Sequence, residues 1–124
     1  MSVITAPTEP THDLGDTRFT SLATPSLGST DTAVWIAELD PGVEAVPHSL
    51  TREEIFVVLA GRAGVRLDGT ELIAGRADAI VVPPGVELVL RNLSEDPLKL
   101  LCCMPVGGEA LMADGSRLSP PWSR

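Results

Sequence analysis

Apolar residues in this chain fall in short runs that alternate with polar ones, a period near two rather than the 3.6 of an amphipathic helix. Extended segments are predicted at Arg18–Ala23, Thr32–Leu39, Glu54–Ala60, Ala63–Leu67, Glu71–Ala74, Ala79–Val82, Val86–Asn92 and Leu98–Met104. Turn-forming clusters separate them: Pro41-Gly42, Gly61, Asp68-Gly69, Pro83-Pro84-Gly85 and Glu95-Asp96-Pro97. Asp68-Gly69 is the strongest hairpin signal, because both residues tolerate the positive φ of a tight primed turn. Strands at this spacing predict an all-β sandwich, jelly roll or small barrel.

The alternation also assigns faces. Ala63, Val65 and Leu67 share one side of their strand, with Gly64 and Arg66 opposite; Val86, Leu88 and Leu90 point inward, with Glu87 and Arg91 outward. Leu98, Leu100, Cys102 and Met104 form an apolar row that excludes Lys99. The segment Glu54–Ala60 departs from alternation: Phe56 and Val58 lie on one side, Ile55, Val57 and Leu59 on the other. Both faces call for burial, so the strand is central or its outer face meets a second subunit. Residues 1–17, with Pro7 and Pro10 and no periodicity, read as an N-terminal arm. Residues 18–106 form the barrel, and residues 107–124 a Pro-rich tail whose Trp122 is suited to anchor it.

Composition narrows the function classes. The chain has 124 residues, one domain's worth, with 11 Gly and 11 Pro, which punctuate helices. Nine basic against 17 acidic residues give a net charge of −8, which opposes nucleic acids and anionic membranes. No apolar run reaches membrane-spanning length and the N-terminus lacks the pattern of a secretory signal, so the cytoplasm is the expected compartment. Cys102 and Cys103 are adjacent and point to opposite faces, a poor arrangement for a disulfide and one that fits a reducing environment. With no Tyr present, acid or base chemistry falls to His, carboxylate, Arg, Ser, Thr or Cys.

The stretch Gly42-Val43-Glu44-Ala45-Val46-Pro47-His48-Ser49-Leu50-Thr51-Arg52-Glu53-Glu54, closing at Gly61, resembles the first motif of the cupin superfamily: Gly, five residues, His-x-His, three or four residues, Glu, six residues, Gly. The second motif of that superfamily is Gly, five residues, Pro-x-Gly, two residues, His, three residues, Asn. It is matched by Pro83-Pro84-Gly85, Leu88 and Asn92, with Ala77 at the leading Gly. The resemblance implies a single-domain cupin jelly roll, or double-stranded β-helix barrel. It also implies a homodimer, often with the N-terminal strand exchanged. In metal-binding cupins the two His and the Glu of the first motif, with the His of the second, converge on one divalent ion. Here Leu50 and Leu88 stand at two of those places, so the resemblance leaves only His48 and Glu54 as ligands should iron, manganese, nickel, copper or zinc be bound. Cys102, if its face turns inward, and His12 of the arm are the candidate third donors. No cofactor is the expected state, because a catalytic metal site needs three protein ligands.

Three functions from different classes follow. The first is binding of a small, largely apolar molecule in a barrel lined by Leu50, Phe56, Leu88, Leu90 and Cys102, with His48 and Glu54 as the polar pair. The second is a metal-independent isomerase, cyclase or epimerase in which Glu54 and His48 are catalytic: burial raises the carboxyl pKa toward the working range of a general acid or base, and the pair shares a proton. The third is a metal-dependent oxygenase or isomerase with an incomplete ligand set. Against all three stands the plain structural reading, in which His48 and Glu54 satisfy one another as a buried pair.

Overall fold

The computed structural model describes residues 1–124. Twelve strands follow one another: β1 (His12–Asp13), β2 (Thr17–Ala23), β3 (Thr32–Leu39), β4 (His48–Leu50), β5 (Glu54–Ala60), β6 (Ala63–Leu67), β7 (Thr70–Ala74), β8 (Ala79–Val82), β9 (Leu88–Asn92), β10 (Leu98–Pro105), β11 (Ala110–Met112) and β12 (Arg117–Leu118). They form two antiparallel six-stranded sheets, ordered β1-β2-β3-β10-β5-β8 and β12-β11-β4-β9-β6-β7. The chain crosses repeatedly from one sheet to the other, which is the jelly-roll arrangement. No helix is long and apolar enough to cross a membrane.

The predicted alternation is visible in the burial. Ala33, Trp35, Ala37 and Leu39 of β3 and Leu98, Leu100, Cys102 and Met104 of β10 all point into the core. At the β6–β7 hairpin Asp68 and Gly69 both have positive φ, 46° and 83°, as a primed two-residue turn requires. Gly61 turns at φ 89°, where an added Cβ would lie 2.7 Å from Ser94 Oγ. Ala77, where the resemblance places a glycine, holds φ 73°, and its amide still donates to the Val58 carbonyl.

Differences from the sequence-based expectation lie in the short elements. The strand expected from Val86 begins only at Leu88. β1, β4, β11 and β12 are two or three residues long, too short for periodicity to mark. β1 folds back on β2 in the same chain, pairing His12 with Phe19 and Asp13 with Arg18. Residues 107–124 return to the second sheet through β11 and β12 and then to β2, where the ring of Trp122 stacks on Phe19.

Asn92 ties the sheets together at one end. Its Nδ2 donates to the carbonyls of Leu39 and Asp96, each at 2.9 Å, and its Oδ1 accepts from the Ser94 amide at 2.7 Å. Replacing it with alanine strands a buried carbonyl, at a cost of about 2–3 kcal/mol. Urea denaturation of Asn92→Ala is expected to show that loss, and a midpoint equal to wild type would contradict this role.

Candidate functional site

Between the sheets lies a cavity of about 380 Å³. Ligand pockets in proteins begin at roughly that size. Its walls are mainly apolar: Ala37, Leu39, Leu50, Leu90, Leu100, Ala110 and Met112 contribute, and Leu14, Val46 and Leu118 border its exposed mouth with Asp16 and Glu44. The chain has two Phe, two Trp and no Tyr. All four rings, Phe19, Trp35, Phe56 and Trp122, line this one cavity. Register explains part of the grouping, since Trp35, Cys102 and Phe56 face each other across β3, β10 and β5.

Glu54 begins β5 on the same face as Phe56 and is 5 % exposed. No side chain or backbone group of the protein bonds to its carboxyl, and burial alone pushes its pKa up from 4.5 to about 8. At neutral pH the unliganded carboxyl therefore holds its proton. His48 begins β4, half-buried beside Leu88 of β9 and Met112 of β11. Its Nδ1 lies 2.8 Å from the Val46 carbonyl. A carbonyl only accepts, so Nδ1 carries the hydrogen, and in the neutral ring Nε2 offers its lone pair. Burial raises the Cys102 thiol well above its usual range, with the Glu54 charge adding to the effect. Such a thiol stays protonated and is a poor nucleophile.

His48, Leu50, Glu54, Phe56, Leu90 and Cys102 thus line one cavity. Leu88 does not: it is 1 % exposed and packs in the core beside Leu67, off the cavity wall. His48 and Glu54 form no hydrogen bond or ion pair with each other, which corrects both the buried-pair reading and the shared proton. His12 stands edge-on to Trp122, with ring centroids 6.2 Å apart, and does not reach the cavity. Among the residues that sequence reasoning missed are Trp35, Phe19, Met112 and the chain-end groups Leu14, Asp16, Leu118 and Pro120. The alternation of β3, which sets Trp35 on the inward face with Ala33, Ala37 and Leu39, was the available signal for the first of them.

The donor set does not fit a resident divalent metal. Nowhere do three or more His, Cys, Asp or Glu side chains converge. At the motif positions the leucine side chains of Leu50 and Leu88 replace imidazoles, and the Cys102 thiol is held protonated.

A two-sheet antiparallel barrel enclosing an apolar cavity with an isolated carboxyl defines the class of protein. Residues 35–104, more than half of the chain, match the cupin domain, and the chain belongs to that family. Among curated proteins it is similar to MJ1618 of Methanocaldococcus jannaschii, 38% identical over 53 residues that cover 43% of this chain and 42% of the relative. The match thus spans less than half of that relative's length. Among solved structures it resembles KdgF from Halomonas sp., at 20% identity and TM-score 0.72 over 85% of this chain and 94% of that one. It also resembles the polyketide cyclase RemF from Streptomyces resistomycificus, at 23% identity and TM-score 0.67, covering 82% and 73% of the two chains. At these identities the likeness shows the fold.

Proposed function

We propose that this cupin domain holds a small, largely apolar molecule in its barrel, with Glu54 and His48 as the polar contacts. The observation that carries this reading is Glu54 itself: a buried carboxyl facing a cavity, with no protein partner, has a bonding capacity that only a ligand or water can use. A neutral apolar dye, N-phenyl-1-naphthylamine, is expected to bind saturably at one site per chain. Ala45→Phe, which places a ring at the half-buried rim of the cavity, is expected to weaken binding about tenfold, a change of about 1.4 kcal/mol. Absence of saturable binding, or equal binding by the variant, would count against the reading.

A second reading is favoured by the separation of the two polar groups. Glu54 has a proton to give near neutral pH and His48 Nε2 has a lone pair to take one, and neither is occupied by the other. That is the equipment of a metal-independent isomerase or cyclase. The likeness to a polyketide cyclase agrees with it. Chemical change of a bound ligand, abolished in Glu54→Gln while binding persists, would establish it.

The outer face of the first sheet supports a homodimer. Val34 and Ile36 of β3, Leu101 and Cys103 of β10, and Ile55 and Val57 of β5 are only half-buried there, and Val81 of β8 is 51% exposed. Cross-strand register sets them in two rows, Val34-Cys103-Ile55-Val81 and Ile36-Leu101-Val57. The outer face of the second sheet is instead laced by ion pairs of Arg66 and Arg91 with Glu44 and Glu71. A two-fold pairing of the apolar face covers it with a copy of itself. Light scattering is expected to give a dimer mass for wild type and a monomer for Leu101→Glu; a monomeric wild type would refute the assembly.

A further inference from the structure

We propose that the molecule received by the cavity is an organic ammonium ion, its cationic head at Glu54 and its apolar body against the aromatic wall. This rests on the reading of the barrel as a small-molecule site.

Charge supports it first. No Lys or Arg lines the cavity, whereas two carboxyl groups do: Glu54 within and Asp16 at the exposed mouth. Asp16 is in no ion pair, while Glu44, also at the rim, turns its carboxylate to Arg66 on the outer face of the second sheet, 3.6 Å away. An anionic ligand would meet a carboxylate at the entrance and no Lys or Arg inside. A cation is drawn in by the same groups, and more so on a chain of net charge −8.

The wall supports it next. All four aromatic rings of the chain line this one cavity, and a ring face that meets a bound cation attracts it. The stacked pair Phe19 and Trp122 sits toward the chain ends, and Trp35 and Phe56 lie deeper, 3% and 5% exposed. Glu54, two residues before Phe56 on the same face, is the one interior group able to neutralise a positive head. Its lack of a basic partner within the protein is what an ammonium ligand would make good, the carboxyl giving up its proton to solvent as the ion enters.

The test uses three probes of different charge, of which the two competitors are close in size. Benzyltrimethylammonium carries a charge that does not titrate; N-phenyl-1-naphthylamine is neutral; phenylacetate is the anion. The ammonium ion is expected to displace the bound dye from the wild-type protein, and phenylacetate to leave it in place. Glu54→Gln is expected to weaken the ammonium ion tenfold or more by isothermal titration calorimetry, and a urea midpoint at pH 4.5 equal to that of wild type certifies that the variant is folded. Dye binding without displacement by the ammonium ion would overturn this proposal and leave the small-molecule reading intact. So would displacement by phenylacetate at equal or lower concentration, or equal ammonium affinity in Glu54→Gln. Failure of dye and ammonium ion alike to bind would overturn both.

Discussion

Glu54→Gln is expected to make this protein more stable, by an amount that grows with pH. The folded-state pKa of about 8 stands above the ordinary 4.5. Below pH 4.5 the carboxyl is protonated in both the folded and unfolded chain, and ionisation does not affect stability. Between 4.5 and 8 the unfolded chain loses the proton while the folded chain keeps it, so stability falls as pH rises, by about 1.4 kcal/mol per unit. The accumulated loss is about 3 kcal/mol at pH 7 and about 4 kcal/mol at pH 8, and it levels off near about 5 kcal/mol above about pH 9. Glutamine, neutral at every pH and close in shape, abolishes that slope. Urea midpoints are therefore expected to coincide for the two proteins near pH 4.5 and to diverge steadily toward pH 8.5, with the variant higher. Parallel curves would mean that water or an unseen partner solvates the carboxyl. A protein keeps a residue that costs a large part of a typical stability of 5–15 kcal/mol when the residue does something else, which is why this one carries the functional argument.

The barrel and most of its strands were legible from period-two alternation because long strands with one buried face leave a repeated mark. Thr32–Leu39, Glu54–Ala60, Ala63–Leu67 and Ala79–Val82 end where alternation and turn residues place their ends. The site was legible in part, through the spacing that put His48 and Glu54 into one barrel. What the spacing could not convey was distance. Both residues line the cavity with no hydrogen bond or ion pair between them, and Leu88 stays in the core because its strand neighbours, Leu67 and His48, hold it beside the cavity. β11 and β12 escaped because two or three residues cannot display a period, and the place of their hairpin is decided by β4, far earlier in the sequence. The doubly apolar strand β5 was a sound indication of an apolar outer sheet face, since Ile55 and Val57 remain half-buried in the folded chain.

The second large effect is expected at Trp122. Its ring lies parallel to that of Phe19, with centroids 3.6 Å apart, and its carbonyl accepts a hydrogen bond from Ser21 Oγ at 2.8 Å. Two residues on, the Arg124 carbonyl accepts from Ser26 Oγ at 2.8 Å. These contacts sew the chain's last residues to β2 and the turn after it, and so hold Leu118, Pro120 and Trp122 in the wall of the cavity. Trp122→Ala removes the stack and most of that wall's apolar area, at a cost of about 2–4 kcal/mol for a half-buried ring. Dye affinity is expected to fall about tenfold with it, because a cavity opened to water no longer desolvates its guest. Trp122→Phe keeps a ring on Phe19 and should recover most of both losses. This separates stacking from mere loss of volume, because a leucine at 122 fills space without the flat face and should recover less. Wild-type dye affinity in Trp122→Ala would show that the cavity closes without its last wall, and the tail would then serve stability alone.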